Sequence, residues 1–360
     1  MENYHFDLIV IGAGMSGMTA VITALNQGLR VGIVNTGFGL FVFGSGCIEN
    51  CQTLHKEAPE NFNKAIDLFL ENARLAECPF YGSINEIRYL PTIMGGFQAV
   101  SFAPFYLWKG NASESIRSAV VGINGVSSFN ADYTAERLNY TAKFNDFKTN
   151  YVAKEINLSI KPKSVASMLQ FANRFDFDSR FYDELQEALK PISREADLII
   201  IPGIFGLRSK FQKIYDFEHE LDCNLCELSN IPPSIPGLRL FNVLIAHLRK
   251  NGAEFFSGFS VKNLEIKNGH CQTIEVDIPA RSLCIDFDSI ILATGQFSKS
   301  LIGLDFFDVD EWLRPITKSG TVIADNLYAI GDLLRNVGGN DNRHSILTGY
   351  RAGMSIVERR

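Results

Sequence analysis

FDLIVIGAGMSG, residues 6–17, is an apolar run of strand length that ends in Gly12-Ala13-Gly14-Met15-Ser16-Gly17. The spacing is G-x-G-x-x-G directly after a strand. Residues 18–27, MTAVITALNQ, place Met18, Val21, Ile22 and Leu25 on one side of a helix, Gly28 stops it, and LRVGIV at 29–34 reads as a second buried strand. A β-α-β unit of this form binds a nucleotide through its first turn. Gly12 permits the tight turn, Gly14 lets a pyrophosphate approach the backbone, and Gly17 lets the helix pack closely on the strand. The helix N-terminus, with Met15 and Ser16, adds unpaired N–H groups and a partial positive charge. One position departs from the pattern. The second strand ordinarily ends in Asp or Glu, which bonds a ribose hydroxyl, and here it ends in Asn35, which can make one hydrogen bond without the strength of a carboxylate.

With 360 residues the chain suits two domains, or one interrupted by another. Hydrophobic residues make up 46% and charged residues 21%, and 34 basic against 40 acidic side chains leave a net charge of −6 without a block of one sign. That balance argues against nucleic-acid binding. The longest apolar runs, such as DLIIIPGIFGL at 197–207, fall far short of a membrane span. No basic segment leads into an apolar core near residue 1, so the expectation is a cytoplasmic protein that reaches a membrane only through partners. Seven cysteines in such a chain argue against a disulfide framework.

After the second strand, NTGFGLFVFGSGCIENC intersperses glycines with aromatic residues; Gly44, Ser45 and Gly46 are placed against a flat or phosphorylated cofactor, with a buried ligand-free turn as the alternative. A core helix is expected near 61–76, antiparallel sheet over 84–110, and then an α/β array: a strand from 117, a helix at 130–147, a strand from 151, helices at 163–173 and 178–190, and a strand at 196–203. Ligands in such sheets gather beyond the carboxyl ends of strands, here Gly122 to Val126 and Pro202 to Leu207. A proline-rich stretch at 229–236 leads into a helix stopped by Gly252, a hairpin turns at Asn268-Gly269, a buried strand runs 287–297 through Ala293-Thr294-Gly295, and NLYAIGDLL at 326–334 carries Gly331-Asp332 before a last helix from about Ser345 to Val357. The fold class is therefore α/β: a Rossmann-like dinucleotide-binding domain with a central parallel sheet, residues 1–83 and 229–360, interrupted at 84–228 by an inserted β-rich and α/β substrate, cap or partner domain.

This order of parts resembles two-domain flavoproteins. In more detail, VVGINGVSSF, IIIPGIFGL, NIPPSIPGLRLFN, the strand-ATG segment and LYAIGD resemble the family of the B-type subunit of anaerobic glycerol-3-phosphate dehydrogenase. The resemblance implies a flavin cofactor. FAD is favoured by the glycine fingerprint, and FMN by Asn35 and by the family. It implies cofactor contacts at Val261, Ala293, Thr294, Gly295, Gly331, Asp332 and the stretch Asn342 to Ser345. It further implies oxidation of glycerol 3-phosphate to glycerone phosphate, a larger flavoprotein catalytic subunit, and an iron-sulfur subunit that passes electrons to quinone at the inner face of the membrane. The segment between Gly295 and Asp332 is shorter than the family pattern.

Oxidising a secondary alcohol at a flavin requires removal of the hydroxyl proton and stabilisation of the reduced ring. Arg343 and His344, expected just before the last helix, are the candidate catalytic pair, with His344 as the alternative base. A phosphate-bearing substrate needs a cation, for which Arg239, Lys299 and Arg343 are candidates; a structural ion pair is the other reading of Arg239. Cys223 and Cys226 form C-x-x-C, and Cys47 and Cys51 lie four apart, but the spacings fit no iron-sulfur run and all four are assigned to packing, with no metal expected.

Overall fold

The computed structural model describes residues 4–52, 59–114, 116–159, 167–228, 232–279, 281–295, 307–334 and 341–359. The chain forms two compact units, one of residues 1–40, 54–72 and 244–360, the other of residues 41–53 and 73–243. Elements are numbered along the chain.

The first unit is built on parallel strands β1 (Tyr4–Ile11), β2 (Val31–Asn35), β11 (Glu254–Ser257), β14 (Arg281–Leu292) and β17 (Leu327–Ala329). β2 lies between β11 and β1, and β14 lies between β1 and β17. Phe6 and Leu8 through Ile11 are all buried, the continuous apolar run of a strand covered on both faces. β12 (Ser260–Lys267) and β13 (His270–Ile278) form the hairpin expected at Asn268-Gly269, both of which take left-handed φ values, 51° and 73°. β14 begins six residues before the expected 287: its first half pairs antiparallel with β13, and only its second half pairs parallel with β17. The apolar run 290–292 marks the doubly covered half and masks the alternating one. β15 (Asp308–Val309) and β16 (Pro315–Ile316) make a small separate pair.

Helix α1 (Met15–Asn26) is buried along most of its length. The last helix of the chain, α9 (Asn342–Glu358), packs on it through two glycines one turn apart. A Cβ at Gly349 would lie 2.3 Å from the Ser16 carbonyl oxygen, and one at Gly353 would lie 2.7 Å from Thr23 Cβ. The two helix N-termini are thereby fixed relative to each other.

The second unit holds a four-stranded parallel sheet, β7 (Arg117–Ile123), β8 (Asn150–Ile156), β9 (Leu198–Pro202) and β10 (Asn224–Leu228), in the order β10-β9-β7-β8. Its helices are α4 (Ala131–Phe144), α5 (Ser167–Phe177), α6 (Ser179–Ser193) and α7 (Phe211–Leu221). An antiparallel sheet groups β3 (Ile48–Glu49), β4 (Phe80–Gly82), β5 (Arg88–Pro91) and β6 (Phe97–Pro104), followed by the single turn α3 (Phe105–Trp108). Two further helices are α2 (Pro59–Leu75) and α8 (Ile235–Lys250).

The unit boundaries differ from those drawn on the sequence, because 41–53, 73–83 and 229–243 fall in the second unit. Close packing of the glycine loop explains the first of these. A Cβ at Gly237 would lie 2.1 Å from the Phe41 carbonyl oxygen, one at Gly46 would lie 2.6 Å from Leu240, and Ser234 N–H donates to Val42 O at 2.7 Å. Residues 41–46 are thus part of the seat of α8.

Candidate functional site

The turn after β1 separates glycines needed by packing from one that is not. Gly12 has φ 111°, and a Cβ there would meet the Ala293 carbonyl oxygen at 2.2 Å. Its N–H donates to Val34 O, and Ala293 N–H donates to Ile11 O, so the segment after β14 lies against the turn. A Cβ at Gly17 would strike the Gly12 carbonyl oxygen at 2.1 Å. Gly14, at φ −73° and ψ −177°, has nothing within 4 Å of an added Cβ. It is also the N-cap of α1, which has neither a side-chain cap nor an acidic residue in its first turn. Helices α4, α6 and α9 are each capped by an Asn or Asp side chain. The start of α1 therefore keeps unsatisfied N–H groups and its positive dipole end beside open space, which fits a pyrophosphate.

A second arm reaches this turn from β17. Gly331 has φ 65°, and an added Cβ would lie 2.6 Å from Ser16 Oγ. Its N–H donates to Thr348 Oγ1 at 3.1 Å, and that hydroxyl donates to His344 O at 2.7 Å. Asp332 is half-buried; burial and the nearby negative charge of Asp341 push its carboxyl above the usual range.

The last helix starts three residues earlier than expected. Asp341 is its N-cap: Oδ1 accepts the His344 N–H at 2.8 Å, the His344 ring Nδ1 lies 3.0 Å from Oδ1 and 3.1 Å from Oδ2, and Arg343 Nη2 donates to Oδ2 at 2.6 Å. Arg343 and His344 therefore occupy the first turn rather than preceding it, with Ser345 next along the helix. Burial works against the Asp341 charge, but the hydrogen bonds from His344 and Arg343 outweigh it and hold this carboxyl below its ordinary range. The sequence reading missed Asp341, whose place three residues before His344 in front of a periodic run is an N-cap signal. It also missed Thr348, Gly349 and Gly353.

Asn35 is buried, and its amide is engaged at both ends: Oδ1 accepts from Ser257 Oγ at 2.9 Å and Nδ2 donates to Gly37 O at 2.9 Å. Rather than pointing at a ribose, the side chain clasps the ends of β2 and β11, a use that an amide serves because it both donates and accepts. Gly258 N–H donates to Asn35 O, and Val261 follows three residues later on β12. Thr294 and Gly295, the latter at φ 68°, continue from Ala293 beside Gly12.

Ser45, Gly46 and Arg239 lie in the second unit. Ser45 Oγ donates to Gln98 Oε1 and accepts the Cys47 N–H, while Gly46 (φ 80°) lies against Leu240. Arg239 is not a substrate cation. It is fully buried, donates through Nε to Gly206 O at 2.8 Å and through Nη2 to Glu227 Oε1 at 2.9 Å, pairs through Nη1 with Glu227 Oε2, and lies over the Tyr106 ring at 4.4 Å. Glu227 also accepts the N–H groups of Ile204 and Phe205, and Asp176 accepts those of Leu207 and Arg208. The donors beyond the carboxyl end of β9, expected to face a ligand, are thus filled by the protein's own carboxylates. At the end of β7, a Cβ on Gly122 would meet Glu155 Oε1 at 2.2 Å. Lys299 lies outside the described residues. Burial raises the thiols of Cys47 to about 12 and Cys223 to about 11. Among the described residues no group of three or more His, Cys, Asp or Glu could hold a metal, and no helix is long and apolar enough to cross a membrane.

Residues 7–72 match the model of a family described as "FAD binding domain". A curated protein of Pasteurella multocida, named as the B-type subunit of anaerobic glycerol-3-phosphate dehydrogenase, is 23% identical, over 98% of this chain and 97% of its own length. A protein of the same name from Glaesserella parasuis is also 23% identical, over 88% of this chain and 80% of its own. Among solved structures, Thermovibrio ammonificans THI4 aligns over 99% of this chain and 90% of its own at 10% identity and TM-score 0.37. The chain resembles these dehydrogenase subunits nearly end to end. The FAD-binding match covers the turn with the open Gly14, which supports a flavin cofactor with FAD favoured, and with it a flavoprotein oxidoreductase.

Proposed function

We propose that the chain is a flavin-binding subunit of a dehydrogenase complex that oxidises glycerol 3-phosphate to glycerone phosphate, working beside a larger flavoprotein subunit and an iron-sulfur subunit that carries electrons to quinone. The observation that carries the flavin part is the open, uncapped turn at Gly14, held between glycines that packing demands. The substrate and the partners rest on the names of the curated relatives and on the family resemblance. The N–H groups of Met15 and Ser16 hold the pyrophosphate, Val261 serves the adenosine side, and Asp332 accepts from the ribityl chain beside Gly331 and Gly295. Bound flavin supplies a two-electron acceptor for hydride. His344, with Nδ1 against Asp341, presents Nε2 for the hydroxyl proton, and Arg343 contributes positive charge at the same helix start. Lys299 is the remaining candidate for the substrate phosphate. The complex works at the cytoplasmic face of the membrane, reached through its partners.

Purification under mild conditions followed by release and chromatography of the cofactor tests this reading, with FAD expected; FMN would move the assignment to the alternative cofactor, and a colourless chain that neither flavin reconstitutes would overturn it. Anaerobic assay of the assembled complex with glycerol 3-phosphate, lactate and glycolate tests the substrate. A second reading, a flavin-holding relay or scaffold subunit without chemistry of its own, is favoured by one observation: Arg239 is consumed by Glu227 and Arg343 is engaged by Asp341. Replacing Arg343 and His344 separates the two, since the relay reading leaves assembly and turnover unchanged.

A further inference from the structure

We infer that the second unit carries a separate binding site for a neutral, planar aromatic molecule with a hydrogen-bond acceptor, in the cleft between α3, α7 and the start of β10. The cavity measures about 270 Å³ and is walled by Tyr81, Phe105, Trp108, Phe211, Tyr215 and Leu225. That is near the lower end of small-ligand pockets, the size of one or two fused rings. Its walls are held by each other: Phe105 meets Phe211 edge-on at 5.0 Å, Phe211 stacks with Tyr215 at 5.4 Å, and Arg88 stacks over Trp108 at 3.9 Å. Tyr81 and Tyr215 remain 42% and 44% exposed at the mouth. An open, concave group of rings of this kind presents apolar faces that favour offset or edge contact with another ring.

Charge decides the rest of the ligand. The one acid and one lysine of the lining are paired, Lys109 Nζ to Glu218 Oε2 at 2.7 Å, and the other Glu218 oxygen accepts the Leu225 N–H at 2.7 Å. The site is therefore neutral, and a charged ligand would have to break that pair. The Lys109 ammonium has three protons and spends one on Glu218, so it can also meet a carbonyl or ether oxygen. The same three residues, Lys109, Tyr215 and Glu218, border a wider polar groove of about 550 Å³, in which Arg117 is neutralised by Asp197.

The chain has two tryptophans, Trp108 and Trp312, so the full-length Trp312→Phe variant makes Trp108 the sole reporter. Its fluorescence is titrated with naphthalene, 2-acetylnaphthalene and 2-naphthoate. The expected result is saturable one-site quenching that is tightest for 2-acetylnaphthalene. Removing one ring, as Tyr215→Ala or independently Tyr81→Ala, should weaken it about threefold to tenfold, as expected for an aromatic pair. Lys109→Met should erase the preference for the acetyl probe while naphthalene still binds. Quenching that rises linearly without saturation, or that is the same with both ring variants, overturns the site; tighter binding of 2-naphthoate overturns the neutral assignment.

Discussion

Replacing Arg239 with Met should unfold the second unit more readily instead of weakening phosphate binding. The guanidinium and the Glu227 carboxylate are both fully buried. The substitution leaves that carboxylate with only the Ile204 and Phe205 N–H groups, removes the donor from Gly206 O, and takes the cation off the Tyr106 ring. Breaking one side of a buried ion pair costs about 3–5 kcal/mol because the other charge is stranded. Against a total stability of roughly 5–15 kcal/mol this is a large fraction, equivalent to a fall of about 6–20 °C in Tm for a unit of this size. Glu227→Gln should cost a similar amount, since it strands the arginine. The double variant Arg239→Met/Glu227→Gln keeps an acceptor for Ile204 and Phe205 and buries no charge, so its loss should be well below the sum of the single losses. Urea denaturation of the three variants gives the comparison. If Arg239→Met stays within about 1 kcal/mol of wild type while KM for glycerol 3-phosphate rises, the assignment of Arg239 to structure is wrong.

Three further outcomes follow from the first unit. Gly17→Ala and Gly349→Ala should each destabilise it by about 1–3 kcal/mol, the overpacking range, because the new methyl meets a backbone oxygen at 2.1 and 2.3 Å; thermal melts measure this. Asp341→Ala should cost about 1 kcal/mol as a lost cap. Asp341→Asn keeps the cap but not the charge: because the folded pKa of Asp341 lies below its unfolded value, wild type gains stability above the ordinary carboxylate pKa and loses it as pH falls through the folded value. The stability gap between wild type and Asp341→Asn should therefore be full at neutral pH and close in acid. Asp332 has the opposite sign, a raised folded pKa, so its contribution is lost as pH rises; Asp332→Asn should slightly stabilise the cofactor-free protein at neutral pH while weakening flavin binding, as melts and flavin titration will show.

The strongly periodic parts of the fold were legible because local pattern and burial agree there. The run into Gly12, the hairpin at Asn268-Gly269 and the α/β alternation after 117 each need only short-range information. What could not be read depends on residues far apart in sequence. Gly46 takes a left-handed φ of 80° where it meets Leu240, and Gly349 is glycine because of the Ser16 carbonyl. Asn35 serves Ser257, and the donors at the end of β9 serve Asp176 and Glu227, so residues that looked available are spent inside the protein. The start of the last helix was misjudged by three residues because polar Asn342, Arg343 and His344 break the apolar period, while Asp341 supplies the cap that lets them be helical.

The measurement that bears most directly on the flavin cradle is FAD binding to Gly14→Val, followed by fluorescence titration of the cofactor-free protein alongside its thermal melt. Valine at an extended backbone angle, with no atom within 4 Å of its Cβ, should leave the melt within about 1 kcal/mol of wild type, while its methyls fill the space at the start of α1 that the pyrophosphate needs. A cradle at this turn predicts a folded protein that binds FAD at least about a hundredfold more weakly, the loss of roughly two charge-assisted hydrogen bonds. A Gly14→Val protein that binds FAD as tightly as wild type would contradict it.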